Sequence, residues 1–185
     1  MSTKRNDSMA IIKEISASAI FSDELIYRYY LDRQWDKQKP TVSFIMLNPS
    51  TATEEILDPT VKRCYDFAHR WGYGKMCVCN IFALRATNPK EIYKSKDPIG
   101  DKNDYYLVYS YTHSDTTILA WGEHGNHLGR GKNVYRLLAG CSAKGKPLYC
   151  LKTTKNGQPM HPLYIRGDTE PVVYSPPKDI ADFGT

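Results

Sequence analysis

The chain has no apolar stretch approaching the roughly 18 residues of a membrane-spanning helix, so no membrane partner is expected. Its charged start, Met1 to Asn6, is followed by no apolar region, which leaves no sign of a secretory signal. A cytoplasmic location is the default that follows. No Cys-x-x-Cys pair occurs among the five cysteines, which speaks against structural zinc or an iron–sulfur cluster. Their odd number argues against a disulfide framework. Reduced, buried thiols are the simpler reading. Cys64 falls on a helical apolar stripe, Cys77 and Cys79 alternate onto one face of a strand-like run, and Cys150 ends another strand.

Strong basicity is missing too. The net charge is +5 with a pI near 8.8, compatible with a polyanionic partner but short of a dedicated nucleic-acid binder. Fourteen tyrosines offer faces on which bases stack, although Tyr27, Tyr29 and Tyr30 equally suit a strand. His124 and His127 form a His-x-x-His pair without a carboxylate at ligand spacing, so neither a metal nor another cofactor is expected. Gly129-Arg130-Gly131-Lys132 lacks the spacing of a phosphate-binding P-loop. Arg130 and Lys132 remain candidate phosphate contacts, against the plainer reading of a solvated helix entry.

What is present is a globular composition, 41% apolar and 24% charged over 185 residues, which suits one domain with a polar amino-terminal tail to about residue 15. Ala17 to Phe21 and Ile26 to Leu31 read as a β-hairpin around Ser22-Asp23-Glu24. From Thr41 the pattern alternates strands and helices. Thr41–Leu47, Met76–Leu84, Thr116–Trp121 and Pro147–Leu151 are the strands; a helix after Asp58-Pro59 and helices near 101–111 and 133–139 lie between them. Units of this length favour a parallel sheet, mainly four-stranded, with helices on both faces.

In such sheets ligands bind beyond the carboxyl ends of the strands. Those ends carry Asn48-Pro49-Ser50-Thr51, Asn80, Trp121-Gly122-Glu123-His124 and the loop Gly157-Gln158-Pro159-Met160-His161-Pro162. Asn48 is suited to orienting a water or holding a carbonyl, with turn capping as the plainer role. Asn80 offers one acceptor and two donors in a rigid pattern. His161, restricted by Pro162, is suited to supporting a developing negative charge.

These motifs, between about Ala19 and Tyr164, resemble those of domain-of-unknown-function family 1643. The likeness rests on Ile45-Met46-Leu47-Asn48-Pro49-Ser50-Thr51-Ala52, Asp58-Pro59-Thr60-Val61, Asn80-Ile81-Phe82-Ala83-Leu84-Arg85-Ala86-Thr87, Ala120-Trp121-Gly122 and the stretch from Gly157 to Tyr164. The same order more distantly resembles the uracil-DNA glycosylase superfamily. That resemblance implies a three-layer α/β/α sandwich, a water-positioning Asn48, a base-reading Asn80 and a His161-Pro162 that supports the leaving base. Pro49, Ser50, Gly122 and Pro162 would then border the substrate. Leu163 stands where that superfamily usually has serine, and no tyrosine directly follows Pro49 to exclude a 5-methyl group.

The expectation is therefore hydrolysis of an N-glycosidic bond in nucleic acid, releasing a modified or damaged base, with DNA or a nucleotide as partner. Two alternatives stand beside it: an enzyme acting on a free nucleotide or nucleoside, and a non-catalytic nucleic-acid-binding module.

Overall fold

The computed structural model describes residues 16–50, 58–141 and 145–178. The polar amino-terminal tail, and Thr51 and Ala52 of the first motif, lie outside them.

β1 (Ser16–Phe21) and β2 (Arg28–Gln34) form the expected antiparallel hairpin. β3 (Thr41–Met46) follows, and all but its first residue are buried, as a strand covered on both faces requires. α1 (Pro59–Arg70) starts at Asp58, whose carboxylate accepts from the amides of Thr60 and Val61 at 2.8 and 2.9 Å. A cap of this kind contributes about 1 kcal/mol, and Pro59 loses no hydrogen bond at the first helical position. β4 (Lys75–Asn80), α2 (Asn103–Thr112), β5 (Thr116–Leu119), α3 (Arg130–Gly140), β6 (Tyr149–Cys150) and β7 (Val172–Val173) complete the order.

The sheet is larger and more mixed than the mainly four-stranded parallel one expected. Seven strands run in the order β1-β2-β4-β3-β5-β6-β7. The four at its centre, β4, β3, β5 and β6, are parallel. The hairpin joins them through β2, antiparallel to β4, and β7 pairs antiparallel with β6. β7 has two exposed residues and so leaves no periodic signature in the sequence. The second expected strand also stops early, at Asn80. Ile81, Phe82 and Ala83 are fully buried but sit in an irregular crossing. Their amides still bond outward, Ile81 to the Met46 carbonyl and Phe82 to that of Leu47. A buried apolar run reads the same in sequence whether or not it belongs to a ladder.

Alternation sorts the core onto two faces. Val42, Phe44 and Met46 of β3, with Met76 and Val78 of β4, pack against Val61, Cys64, Phe67 and Ala68 of α1. Ile45, Cys77, Cys79 and Leu119 pack against Leu107 and Tyr111 of α2 and Val134 and Leu138 of α3. Cys77 and Cys79 thus share a face, and four of the five cysteines are buried; Cys141 is exposed. Among the described residues, no helix is long and apolar enough to cross a membrane.

The topology fixes where a ligand would sit. β3 leads through α1 to β4 on one side, whereas its neighbour β5 leads through α3 to β6 on the other. The two chains leave adjacent strand ends in opposite directions, toward opposite faces. The opening between such diverging loops is the binding crevice of open α/β sheets.

Candidate functional site

A cleft of about 610 Å³ opens at that divergence. Leu47, Asn48, Ser50 and Asp58, beyond β3, form one wall, and Trp121, Gly122, Glu123 and His124, beyond β5, form another. Met160, His161, Leu163 and Tyr164 close a third side. The size is that of a small-molecule site.

The loop that carries His161 is built from its sequence. Gly157 takes φ +75°, so the chain reverses tightly, with the Gly157 amide bonding the Thr154 carbonyl at 3.0 Å. A Cβ there would lie 2.4 Å from a carbon of Pro177. The returning strand places the Pro159 carbonyl 2.7 Å from the amide of Gly122, itself at φ +73°. Gln158 accepts from the Trp121 indole N–H at 2.8 Å and donates to Asn126 at 2.8 Å, which fixes the ring that walls the cleft. Gly125 is needed under that ring, because a Cβ would fall 2.0 Å from it. Pro162 then starts a short 3-10 turn, Pro162–Tyr164, and His161 is its cap.

The His161 Nδ1 accepts from the Leu163 amide at 3.4 Å. In the neutral ring this leaves the proton on Nε2, a donor. Burial pushes the His161 pKa below the ordinary 6.5, partly offset by the negative charge of Asp58. A neutral, donating imidazole is the form favoured near pH 7.

Asn48 also lines the cleft, but its amide nitrogen is spent on the loop: it donates to the Ala86 carbonyl at 2.8 Å and to that of Pro49 at 3.2 Å. What remains for a ligand is the oxygen, an acceptor. Ser50 lines the cleft and donates its hydroxyl to Asp58 at 2.8 Å. Asp58 therefore serves both as helix cap and, with Glu123, as an acidic group of the cleft wall. Pro49 and Pro162 shape the adjoining backbone without forming the wall; Pro162 is buried.

Asn80, expected to border the substrate, is 1% exposed and is not among the residues that line the cleft. It directly opposes Met46 in the β3–β4 register, and alternation puts it on the α1 face with Met76 and Val78. Neither its Nδ2 nor its Oδ1 has a hydrogen-bond partner among the described residues. Arg130 and Lys132 are not among the residues that line the cleft. Arg130 is buried instead, donating from Nε to the Ile81 carbonyl at 2.7 Å and pairing through Nη2 with Asp104. Lys132 is half-buried on α3. The His-x-x-His pair is held by Tyr93, which bonds the His124 Nδ1 at 2.7 Å and lies 4.3 Å from the His127 ring.

One prominent residue has no signal in the motifs. Arg28 lines the cleft and is 3% exposed, and its Nε has no partner among the described residues. A β-bulge aims it there. Ile20 pairs with Tyr30 but Phe21 with Arg28, so β2 carries one extra residue at that step. Tyr30 packs on the α2 face, and the extra residue turns Arg28 toward the Asp58 side. Burial lowers its pKa to about 10, with Asp58 acting in the opposite sense. It is still protonated at neutral pH. The lip residues Leu163 and Tyr164, 45% and 77% exposed, were also not anticipated as site groups.

The fold and the crevice define a mixed α/β protein with a preformed, small-molecule-sized cleft at the topological switch point of its sheet. Comparison with families agrees with the motifs: the family described as "Protein of unknown function (DUF1643)" matches residues 28–163, and the chain belongs to it. No curated protein and no solved structure matches the chain.

Proposed function

We propose that this cleft hydrolyses an N-glycosidic bond in nucleic acid and releases a modified or damaged base, in the manner of a DNA glycosylase. The observation that carries this reading is the meeting of Asn48 and His161 on the wall of one recess, from loops far apart in the chain. Helices on both faces of the central parallel strands fit the three-layer sandwich of the uracil-DNA glycosylase superfamily, the distant likeness drawn from the motifs.

In this mechanism the Asn48 oxygen accepts a hydrogen bond from the attacking water and orients it toward the sugar carbon. As the C–N bond breaks, its electron pair passes to the base. The Nε2–H of His161 stabilises the negative charge that forms there, and the water's proton completes the free base. A duplex substrate must first extrude its nucleotide. Leu163 and Tyr164 at the lip provide apolar surface to occupy the vacated stack.

The test is abasic-site formation on a panel of duplexes and single strands carrying modified bases. His161→Ala is expected to slow release by on the order of 100-fold, the usual cost of one preorganised donor. No abasic product from any member of the panel would overturn the proposal.

A free nucleotide or nucleoside is the second reading, favoured by the single arginine and absence of lysine among the described residues that line the cleft. Salt separates the two: DNA binding falls steeply with salt through counterion release, whereas a small ligand responds far less. A non-catalytic nucleic-acid-binding module draws no support from an open cleft of this size.

A further inference from the structure

Base release leaves one buried charge of the cleft without a task. Arg28 lines the cleft at 3% exposure, and its Nε has no hydrogen-bond partner among the described residues. The nearby acid groups are already engaged. Asp58 accepts from the Thr60 and Val61 amides and from the Ser50 hydroxyl, and it acts on Arg28 only through space. Glu123 stands at the exposed rim, where Asn156 donates to it at 3.1 Å. Arg85 and Arg33 are close enough for their positive charges to be felt at Arg28 as well. The inner part of the cleft therefore has a buried cation, two more cations behind it, and one carboxylate spent on capping a helix. A buried charge is costly unless it is paired and hydrogen-bonded, and a ligand of opposite charge removes that cost.

We propose that Arg28 forms an oxyanion-binding subsite at the inner end of the cleft, and that the ligand places a phosphate or carboxylate group against it. A guanidinium has five donors and no acceptor, set in a planar fork that matches two oxygens of either group. His161, on the wall of the same cleft, adds an uncharged donor through Nε2. Met46, Leu47, Met160 and Leu163 give the rest of the ligand an apolar lining, and about 610 Å³ leaves space for it. The ligand class is thus a small organic acid or phosphate monoester with a body of about nucleotide size. The subsite is independent of base release: it concerns the group that meets Arg28, not the bond that breaks.

The experiment follows thermal unfolding of the whole protein at pH 7 and constant ionic strength, with inorganic phosphate or acetate replacing chloride. At least one of the two is expected to raise the wild-type midpoint saturably, by about 3–5 °C at ten times its dissociation constant. Arg28→Met is expected to abolish the rise. Calorimetry then separates the two sources of the acid group, with uridine 5′-monophosphate against uridine for phosphate, and orotate against uracil for carboxylate. In one pair the acid-bearing member is expected to bind ~10-fold or more tightly, the range for a hydrogen bond to a charged group. Arg28→Lys, which keeps the charge without the fork, is expected to retain only part of that ratio, and it serves as the test if Arg28→Met does not fold. No response to any of these acids, a response equal in Arg28→Met, or a ratio unchanged in Arg28→Lys overturns the subsite and leaves base release standing. Glu54 and Glu55 precede Asp58 in the chain. A response that emerges only in the double variant Glu54→Gln, Glu55→Gln would show that the protein's own carboxylate meets Arg28, and also overturns it. Absence of abasic product, by contrast, overturns base release and leaves the subsite standing.

Discussion

Arg28 and Arg130 are both buried, at 3% and 5% exposure, and the environment treats them oppositely. Arg130, on the α3 side, has its Nε on the Ile81 carbonyl and its Nη2 on Asp104. Arg28, on the α1 side, has no partner for its Nε among the described residues and opens on the cleft. Burying a charge is costly unless it is paired and hydrogen-bonded. Arg130 meets that condition within the protein and so holds the β4 exit against α2 and α3. Arg28 has no such partner at its Nε among the described residues. The difference separates a region held by its own hydrogen bonds from one that opens on the cleft.

The sharpest way to break this contrast is to remove each arginine in turn. Arg130→Ala strands the Ile81 carbonyl and is expected to cost about 2–3 kcal/mol in urea denaturation, the range for hydrogen bonds to charged groups. Arg28→Met is expected to cost nothing or to stabilise. Equal losses at the two sites would erase the distinction.

Asp58→Asn acts on the cleft side alone, since asparagine also caps helices well. Asp58 raises the His161 pKa against the larger depression by burial. Without its charge, the His161 titration followed by NMR is expected to move further below 6.5. The sign carries over to stability. A histidine whose folded pKa is depressed contributes fully above its unfolded pKa of 6.5, and that contribution is lost as pH falls toward the folded value. Stability of the wild-type protein is therefore expected to decline below about pH 6.5. A His161 pKa that rises in Asp58→Asn would show that Asp58 is not facing the ring.

The smallest effect belongs to the lip. Tyr164 is 77% exposed, so Tyr164→Ala is expected to change stability by less than about 0.5 kcal/mol. Its release of bases from duplex is expected to fall several-fold, with single strands unaffected, because only the duplex needs its vacated stack filled. Equal loss on both would place Tyr164 in the pocket rather than at the lip.

Much of the fold was legible because its signals are local. Asp58-Pro59 marks the start of α1, and the spacing of Val61, Cys64 and Ala68 marks its buried stripe. The hairpin and the order of strands and helices followed from alternation and turn residues. The convergence of Asn48, Gly122 and His161 on one rim was also legible, since loops after parallel strands share an edge. Arg130 shows where this stops: a basic residue in a glycine-flanked loop looks solvated until Asp104 and the Ile81 carbonyl are seen beside it.

The sequence by itself determined which segments become helix or strand and which turns lie at the strand ends, because propensity, capping and periodicity act over a few residues. Only the tertiary structure decided that β2 carries a bulge opposite Ile20 and Phe21, that Arg28 thereby enters the cleft, and that Asn80 is buried away from the cleft wall. Register and strand adjacency are set by contacts between distant segments, and a one-residue shift in pairing moves a side chain to the opposite face of the sheet.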